Sequence, residues 1–192
     1  MSSTRRTQIR GKSAAMTRHA LLSAARSRFL QESYENVGLR DIARDVGVDV
    51  ALVNRYFGSK EELFREVLGI ESKEEILPPG LSNSGIAAFL AQMFLDQRGV
   101  DGNAHVERLL IILRSASSPA ASAIVREALR NDVLEPLADR LGGSDPELRA
   151  STLMAVWMGL SIMQTVMLVE PLREGGGELQ DRLRQLFEAA LG

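Results

Sequence analysis

Residues 39–57, Leu-Arg-Asp-Ile-Ala-Arg-Asp-Val-Gly-Val-Asp-Val-Ala-Leu-Val-Asn-Arg-Tyr-Phe, hold the side chains best suited to chemistry with another molecule. If Ile42, Ala43, Val46, Val48, Val53 and Phe57 face inward, then Arg40, Arg44, Val50, Ala51, Leu52, Asn54, Arg55 and Tyr56 are left for a surface. That surface mixes arginine and asparagine, which make paired hydrogen bonds to base edges, with small apolar groups able to meet thymine methyls. Two short amphipathic helices joined through a glycine also have the right dimensions. The second can enter a major groove about 12 Å wide while the first crosses the backbone. On spacing alone, an ordinary helical hairpin with solvated polar side chains satisfies the same pattern.

Other chemistries find few candidates. The 192 residues include no cysteine, which removes disulfides, zinc–thiolate sites and thiol nucleophiles together and permits a reducing cytoplasm. The two histidines, His19 and His105, are far apart, and there is no glycine-rich phosphate loop or metal-ligand spacing. No catalytic residue, metal site or cofactor is expected, and the chain is not expected to be an enzyme. Residues 1–12 are basic and polar with no apolar segment behind them, unlike a secretory signal. The most apolar stretch, residues 153–169, contains Ser161, Gln164 and Thr165 and falls short of the roughly 20 apolar residues that span a bilayer. A buried helix in a cytoplasmic protein is the expectation.

Net charge is only −2, but it is unevenly placed. Residues 1–60 carry 11 Lys+Arg against 5 Asp+Glu, or +6, leaving 12 against 20, or −8, for residues 61–192. A basic half attracts polyanions at long range.

The elements that must position these residues are all helical. Thr17 can cap a helix carrying Leu21, Leu22, Ala25 and Phe29 and ending near Glu32, after a flexible basic arm over residues 1–16. A helix over 39–46 stops at Gly47, and Asp49 caps the next, to about Phe57. Ser59-Lys60-Glu61-Glu62 has the form of a capping box, opening a fourth helix to about Ile76 before Pro78-Pro79-Gly80. A domain boundary is expected near residue 80. Beyond it come a helix around Ile86–Phe94 ending before Arg98-Gly99, and another around residues 106–113. A third runs from Pro119 to Gly142 with a kink at Pro136, and a fourth follows a second capping box at Ser144-Asp145-Pro146-Glu147 and runs to Val169. The last carries Leu179, Leu183, Leu186, Phe187 and Ala190 on one face. About nine helices and no strand are predicted.

The residues at the front resemble the TetR/AcrR family of bacterial transcription regulators. Leu21-Leu22-Ser-Ala-Ala25 with Phe29 looks like that family's first helix and Leu39-Arg-Asp-Ile-Ala43 like its second. Val46-Gly-Val, Leu52-Val53 and Tyr56-Phe57-Gly-Ser-Lys60-Glu-Glu-Leu63 look like its third and the start of its fourth. The match covers residues 17–68; the remainder agrees in length and helix count. The resemblance implies an all-α protein in which a three-helix reader of duplex DNA (residues 17–76 with its connecting helix) is followed by a helical effector-binding and dimerisation domain (81–192). It places Tyr56 and Lys60 at phosphates, and Val50, Ala51 and Arg55 at bases or the adjoining backbone. Asn54 departs from the usual tyrosine, Gly38 from a capping threonine, and Asp49 from a capping serine or threonine. With asparagine at position 54, either a phosphate contact is lost or an adenine-reading amide is gained.

The resemblance also implies a homodimer on a pseudopalindromic operator, repressing until a small-molecule effector releases it. Leu153, Val156, Leu160, Leu183, Leu186 and Phe187 are the seam candidates, with packing inside one chain as the alternative. Met93, Phe94, Ile112, Trp157, Met158 and Met163, with Arg108, Arg114 and His105, are candidates for an effector pocket, with plain core or solvated helix faces as the alternative. Arg5, Arg6, Arg10 and Lys12 could follow the minor groove or form a solubilising tail. The rival function is a helical ligand-binding or interaction module that keeps the helix-turn-helix as scaffold.

Overall fold

The computed structural model describes residues 2–69, 77–96 and 102–192; side chains of residues 2–13 and 102–105 lie outside that description. The candidate arm contacts, His105 and the stretch of the fourth helix up to Ile76 therefore fall outside it. Among the described residues the chain is all-α, as expected. The helices are α1 (Ser2–Gln31), α2 (Leu39–Val46), α3 (Val50–Phe57), α4 (Lys60–Leu68), α5 (Asn83–Asp96), α6 (Gly102–Ser115), α7 (Pro119–Leu129), α8 (Glu135–Leu141), α9 (Pro146–Thr165), α10 (Glu170–Glu174) and α11 (Gly177–Leu191). A single 3-10 turn, Tyr34–Asn36, joins α1 to α2.

Two predicted helices are each split. Pro136 has no amide to offer the carbonyl four residues back, and the chain widens into a π turn over Arg130–Leu134, with the Glu135 amide donating to the Arg130 carbonyl. The helix expected to reach Val169 ends at Thr165, since Leu168 takes a left-handed conformation (φ 55°) and Pro171 opens α10. The capping box expected at Ser144 does not form. Asp145 enters α9 at φ 48° without a side-chain cap bond, and Pro146 supplies the preset first turn. At the other end of the chain, α1 starts at Ser2 rather than Thr17. No proline interrupts residues 2–16, and the one glycine, Gly11, costs a helix only about 1 kcal/mol.

The chain forms two compact units, Met1–Gly69 with Ile111–Val125, and Ile70–Leu110 with Arg126–Gly192. The sequence placed its boundary near residue 80 and did not foresee that the end of α6 and the start of α7 would pack with the first unit.

In that unit, Leu21, Ala25 and Phe29 of α1 are fully buried at four-residue spacing, and Ile42, Ala43, Val53, Phe57, Leu63 and Phe64 close around them. Each buried leucine or phenylalanine contributes roughly 1.5–3 kcal/mol. Phe29, Tyr34 and Phe64 form a ring triangle, with centroids 4.9 Å apart in both pairs involving Phe64 and 6.0 Å apart in the third. Val46 and Val48, expected in this core, are only half-buried. Two ion pairs tie α1 to its neighbours: Arg28 to Asp45 at 2.5 Å and Arg18 to Glu66 at 2.6 Å. The Arg28 hydrogen bond holds Asp45 below the usual carboxylate range.

In the second unit α5 and α11 run antiparallel, since Ser84 bonds Glu188 while Gln92 bonds Gln180. Phe94, Trp157 and Phe187 bring α5, α9 and α11 together, with Trp157 at 6.0 Å from each of the other two rings. Arg149 donates to the Leu191 and Gly142 carbonyls, fastening the start of α9 to the end of α11.

Candidate nucleic-acid interface

The helix-turn-helix is shaped by local backbone chemistry. Gly47 closes α2 at φ 73°, its amide reaching the Ala43 and Arg44 carbonyls; a side chain here would be strained by the backbone alone. Two residues later the Asp49 carboxylate accepts from the Ala51 amide at 2.7 Å and starts α3. Gly58, at φ 74°, turns the chain out of α3; a Cβ there would lie 2.1 Å from Glu62 Oε2. Ser59 Oγ then accepts the Glu62 amide at 3.1 Å. Glu61, however, is the carboxylate that turns back on the cap. Bonds from its own amide and from Ser59 hold its pKa below the usual range.

These constraints fix which face of α3 is presented. Val53 and Phe57 are buried against the unit's core, which leaves Ala51, Asn54 and Arg55 exposed and Val50, Leu52 and Tyr56 half-buried. Arg55 lies over the Tyr56 ring at 5.2 Å, with Nη2 at 3.4 Å from the phenol oxygen. A fork lodged this way loses less side-chain freedom on binding. On α2, Arg40 and Arg44 are exposed, and Arg44 is held by Asp41 at 2.9 Å.

Lys60 stands at the first turn of α4, its ammonium 4.3 Å above the Tyr34 ring. Burial pushes its pKa down, while the carboxylates of Glu35 and Glu61 pull it up. The tyrosine donates to Glu61 Oε1 at 3.3 Å, and its own pKa is pushed up to about 12 by burial and by that carboxylate. The front of this unit therefore gathers cationic forks, an amide and small apolar groups on α2 and α3, with a cation at the mouth of α4. The chemistry suits a polyanion with base edges to read.

The seam and pocket candidates fare differently. Leu153, Leu183 and Phe187 are buried within the chain's own core among α5, α9 and α11. Of the seam candidates, Val156 and Leu160 are half-buried and Leu186 is 43% exposed. Phe94 and Trp157 are likewise packed ring against ring in that core, with Met93 against it. Met158 is half-buried and Met163 is 45% exposed. Arg108 and Ile112 fall in different units, and Arg114, exposed, donates to the Gln31 carbonyl at 3.0 Å.

Sequence reasoning missed two features. Ser118 Oγ donates to Glu35 Oε1 at 2.5 Å across 83 residues, and no local pattern announces such a pair. Ser161 and Gln164 continue the buried face of α9, three residues apart, and both are almost wholly enclosed. Gln164 Nε2 donates to the Leu172 carbonyl at 2.9 Å, yet Gln164 Oε1 and Ser161 Oγ have no partner. Their signal was the polar interruption of the most apolar stretch. Among the described residues no cluster of histidine and carboxylates could hold a metal, and no helix is long and apolar enough to cross a membrane.

Comparison with known proteins supplies the family. Residues 21–67 match the model of bacterial regulatory proteins of the tetR family, and residues 85–190 match that of the tetracyclin repressor-like C-terminal domain. No curated relative matches the chain. Among solved structures, a TetR-family regulator from Streptomyces coelicolor A3 is 31% identical over 91% of this chain and 94% of its own, with a TM-score of 0.50. NalD of Pseudomonas aeruginosa, the secondary repressor of the MexAB-OprM multidrug efflux pump, shares the fold at 18% identity. Its TM-score is 0.66, over 91% of this chain and 96% of its own. SmeT, solved as a complex with triclosan, shares it at 20% identity with a TM-score of 0.58, over 88% and 90%. With both domain models matched in order, and an exposed α3 in a helix-turn-helix, the chain belongs to the TetR family of DNA-binding helix-turn-helix transcription regulators.

Proposed function

We propose that this regulator is a cytoplasmic homodimeric repressor released from a pseudopalindromic operator by a small molecule. The observation that carries the operator reading is the exposed face of α3, on which Ala51, Asn54 and Arg55 are exposed while Val53 and Phe57 anchor the helix. Val50, Ala51, Asn54 and Arg55 meet base edges or the adjoining backbone. Tyr56 and Lys60 meet phosphates, and Arg40 and Arg44 flank the groove. Lys60 does so beside the amides of the α4 N-terminus, where the helix dipole favours an anion.

Dimerisation uses the outer faces of α9 and α11. Val156, Leu160 and Leu186 remain from the sequence candidates, joined by Met163 and by Gly159, at which an added Cβ would meet nothing within 4 Å. A two-fold pairing sets two α3 helices on successive major-groove faces. NalD, itself a repressor, supports repression, and SmeT, solved with triclosan, supports a small effector.

The effector site takes in Ser161 and Gln164. A buried polar atom left unpaired costs about 1–3 kcal/mol, and a molecule carrying a hydroxyl or amide relieves it. The effector acts by binding the operator-competent and released conformations unequally, and a hundredfold loss of operator affinity needs a difference of about 2.7 kcal/mol.

Selection of bound fragments from random duplex DNA at near-physiological salt tests the first half. A pseudopalindrome of two half-sites is the expected product, and recovery of unenriched DNA would overturn it. The single tryptophan, Trp157, lies four residues before Ser161 and reports the second half by its fluorescence when candidate effectors are titrated. A compound that shifts the emission yet leaves operator affinity unchanged would refute the coupling.

A further inference from the structure

The turn between α6 and α7 packs with the DNA-reading helices, and it does so through polar contacts as well as apolar ones. Arg114 reaches the Gln31 carbonyl at the end of α1. Ser118, 4% exposed, has one hydroxyl with two jobs: it accepts the Ala121 amide at 3.1 Å, capping α7, and donates to Glu35 Oε1 at 2.5 Å. Glu35 is the chain neighbour of Tyr34 in the single turn between α1 and α2, and Lys60 rests over the Tyr34 ring. The Glu35 carboxylate acts on the Lys60 ammonium through space, raising its hold on the proton against the effect of burial. Three anions therefore act on this lysine when DNA is present: the Glu35 carboxylate, the Glu61 carboxylate, which already accepts from Tyr34, and a backbone phosphate. Ser118 occupies one oxygen of the first.

We propose that Glu35 is a positioning residue for Lys60, kept from pairing with it by the Ser118 hydrogen bond. While α7 stays docked, the carboxylate is held toward the α6–α7 turn and Lys60 is left over Tyr34 for a phosphate. When α7 moves, the released carboxylate turns to Lys60 and displaces the phosphate. The start of α7 thereby sets the strength of a DNA contact that it does not itself make. This rests on the reading that Lys60 meets a phosphate.

The test is a mutant cycle on the full chain, with binding to the selected operator fragment measured over a range of salt. Glu35→Gln keeps an oxygen for Ser118 but removes the charge, and tightens binding by about threefold at low salt, the scale of a partly exposed ion pair. Ser118→Ala loosens binding by a similar factor alone and has no effect beside Glu35→Gln. The lost α7 cap is common to both comparisons, so that cancellation separates electrostatics from folding. Lys60→Ala lowers the salt slope by about one counterion per contact and abolishes the Glu35→Gln effect. If Lys60→Ala leaves affinity and salt slope unchanged, the phosphate reading fails and the proposal with it. If Lys60→Ala weakens binding but Glu35→Gln changes nothing, or Ser118→Ala weakens it equally in both backgrounds, the lysine contact stands and the positioning role is overturned.

Discussion

The helices α1–α4 and the helices α9–α11 treat polar groups in opposite ways. In the first set, charged side chains bridge helices in pairs, Arg28 with Asp45 and Arg18 with Glu66, and Tyr34 satisfies its hydroxyl on Glu61. Among the described residues of α1–α4, no buried side-chain polar atom lacks a partner. In the second set, Ser161 Oγ and Gln164 Oε1 are buried without partners, while Met163, Met167, Leu168 and Leu186 lie exposed. Helices whose buried side-chain polar atoms are paired favour one arrangement, which is what a reader of base edges requires, and the one unpaired buried atom near them, Ser115 Oγ, lies on α6. Helices with unpaired interior polar groups and bare apolar surface are stabilised by what binds them, and binding can then change their conformation.

The largest effect that tests this comparison is at the ring triangle. Phe64→Ala removes the ring shared by both 4.9 Å contacts and should destabilise the first unit by about 3–5 kcal/mol. Chemical denaturation measures it, and a loss below about 1 kcal/mol would show that the triangle is not what holds the reader. Next is Asn54→Ala. An amide reading adenine is worth about 1–3 kcal/mol of discrimination at one base pair. Selection with the variant should relax one position of each half-site, whereas uniform weakening across operator variants would assign Asn54 to the backbone.

Ser161→Ala is the opposite kind of change. Removing an unpaired buried hydroxyl should stabilise the chain by about 1 kcal/mol while weakening effector binding. A destabilisation of that size would mean the hydroxyl is already satisfied by water. The smallest effect is at Asp45. Because Arg28 lowers its folded pKa, the pair contributes stability that is present above the ordinary carboxylate range and lost as pH falls through the depressed value. Asp45→Asn should shallow the acid limb of a stability profile by no more than a few tenths of a kcal/mol, since the pair is partly exposed. An unchanged limb would mean that Asp45 titrates alike in the folded and unfolded chain.

Much of the reader was legible because its signals are short-range. Gly47, Asp49 and Ser59 act within four residues, and the spacing of Leu21, Ala25 and Phe29 reports a buried face directly. The same logic failed at Ser144, where a capping sequence was present but Asp145 took a left-handed turn instead. It failed again at the seam. Leu153, Leu183 and Phe187 were recognised as one-sided apolar faces, and periodicity says that such a face is covered without saying by which chain.

By itself the sequence determined the all-helical class, α2 and α3 with their turn glycines, the family and the identity of the side chains on the exposed face of α3, because each depends on interactions within a few residues or on direct likeness. Tertiary structure alone decided that Glu35 meets Ser118, that Lys60 lies on Tyr34, and that the inner face of α9 closes on α5 and α11 while leaving Ser161 and Gln164 unpaired. Those pairings join residues that are distant along the chain. They are selected by the packing of whole helices, where every apolar face competes for the same few neighbours.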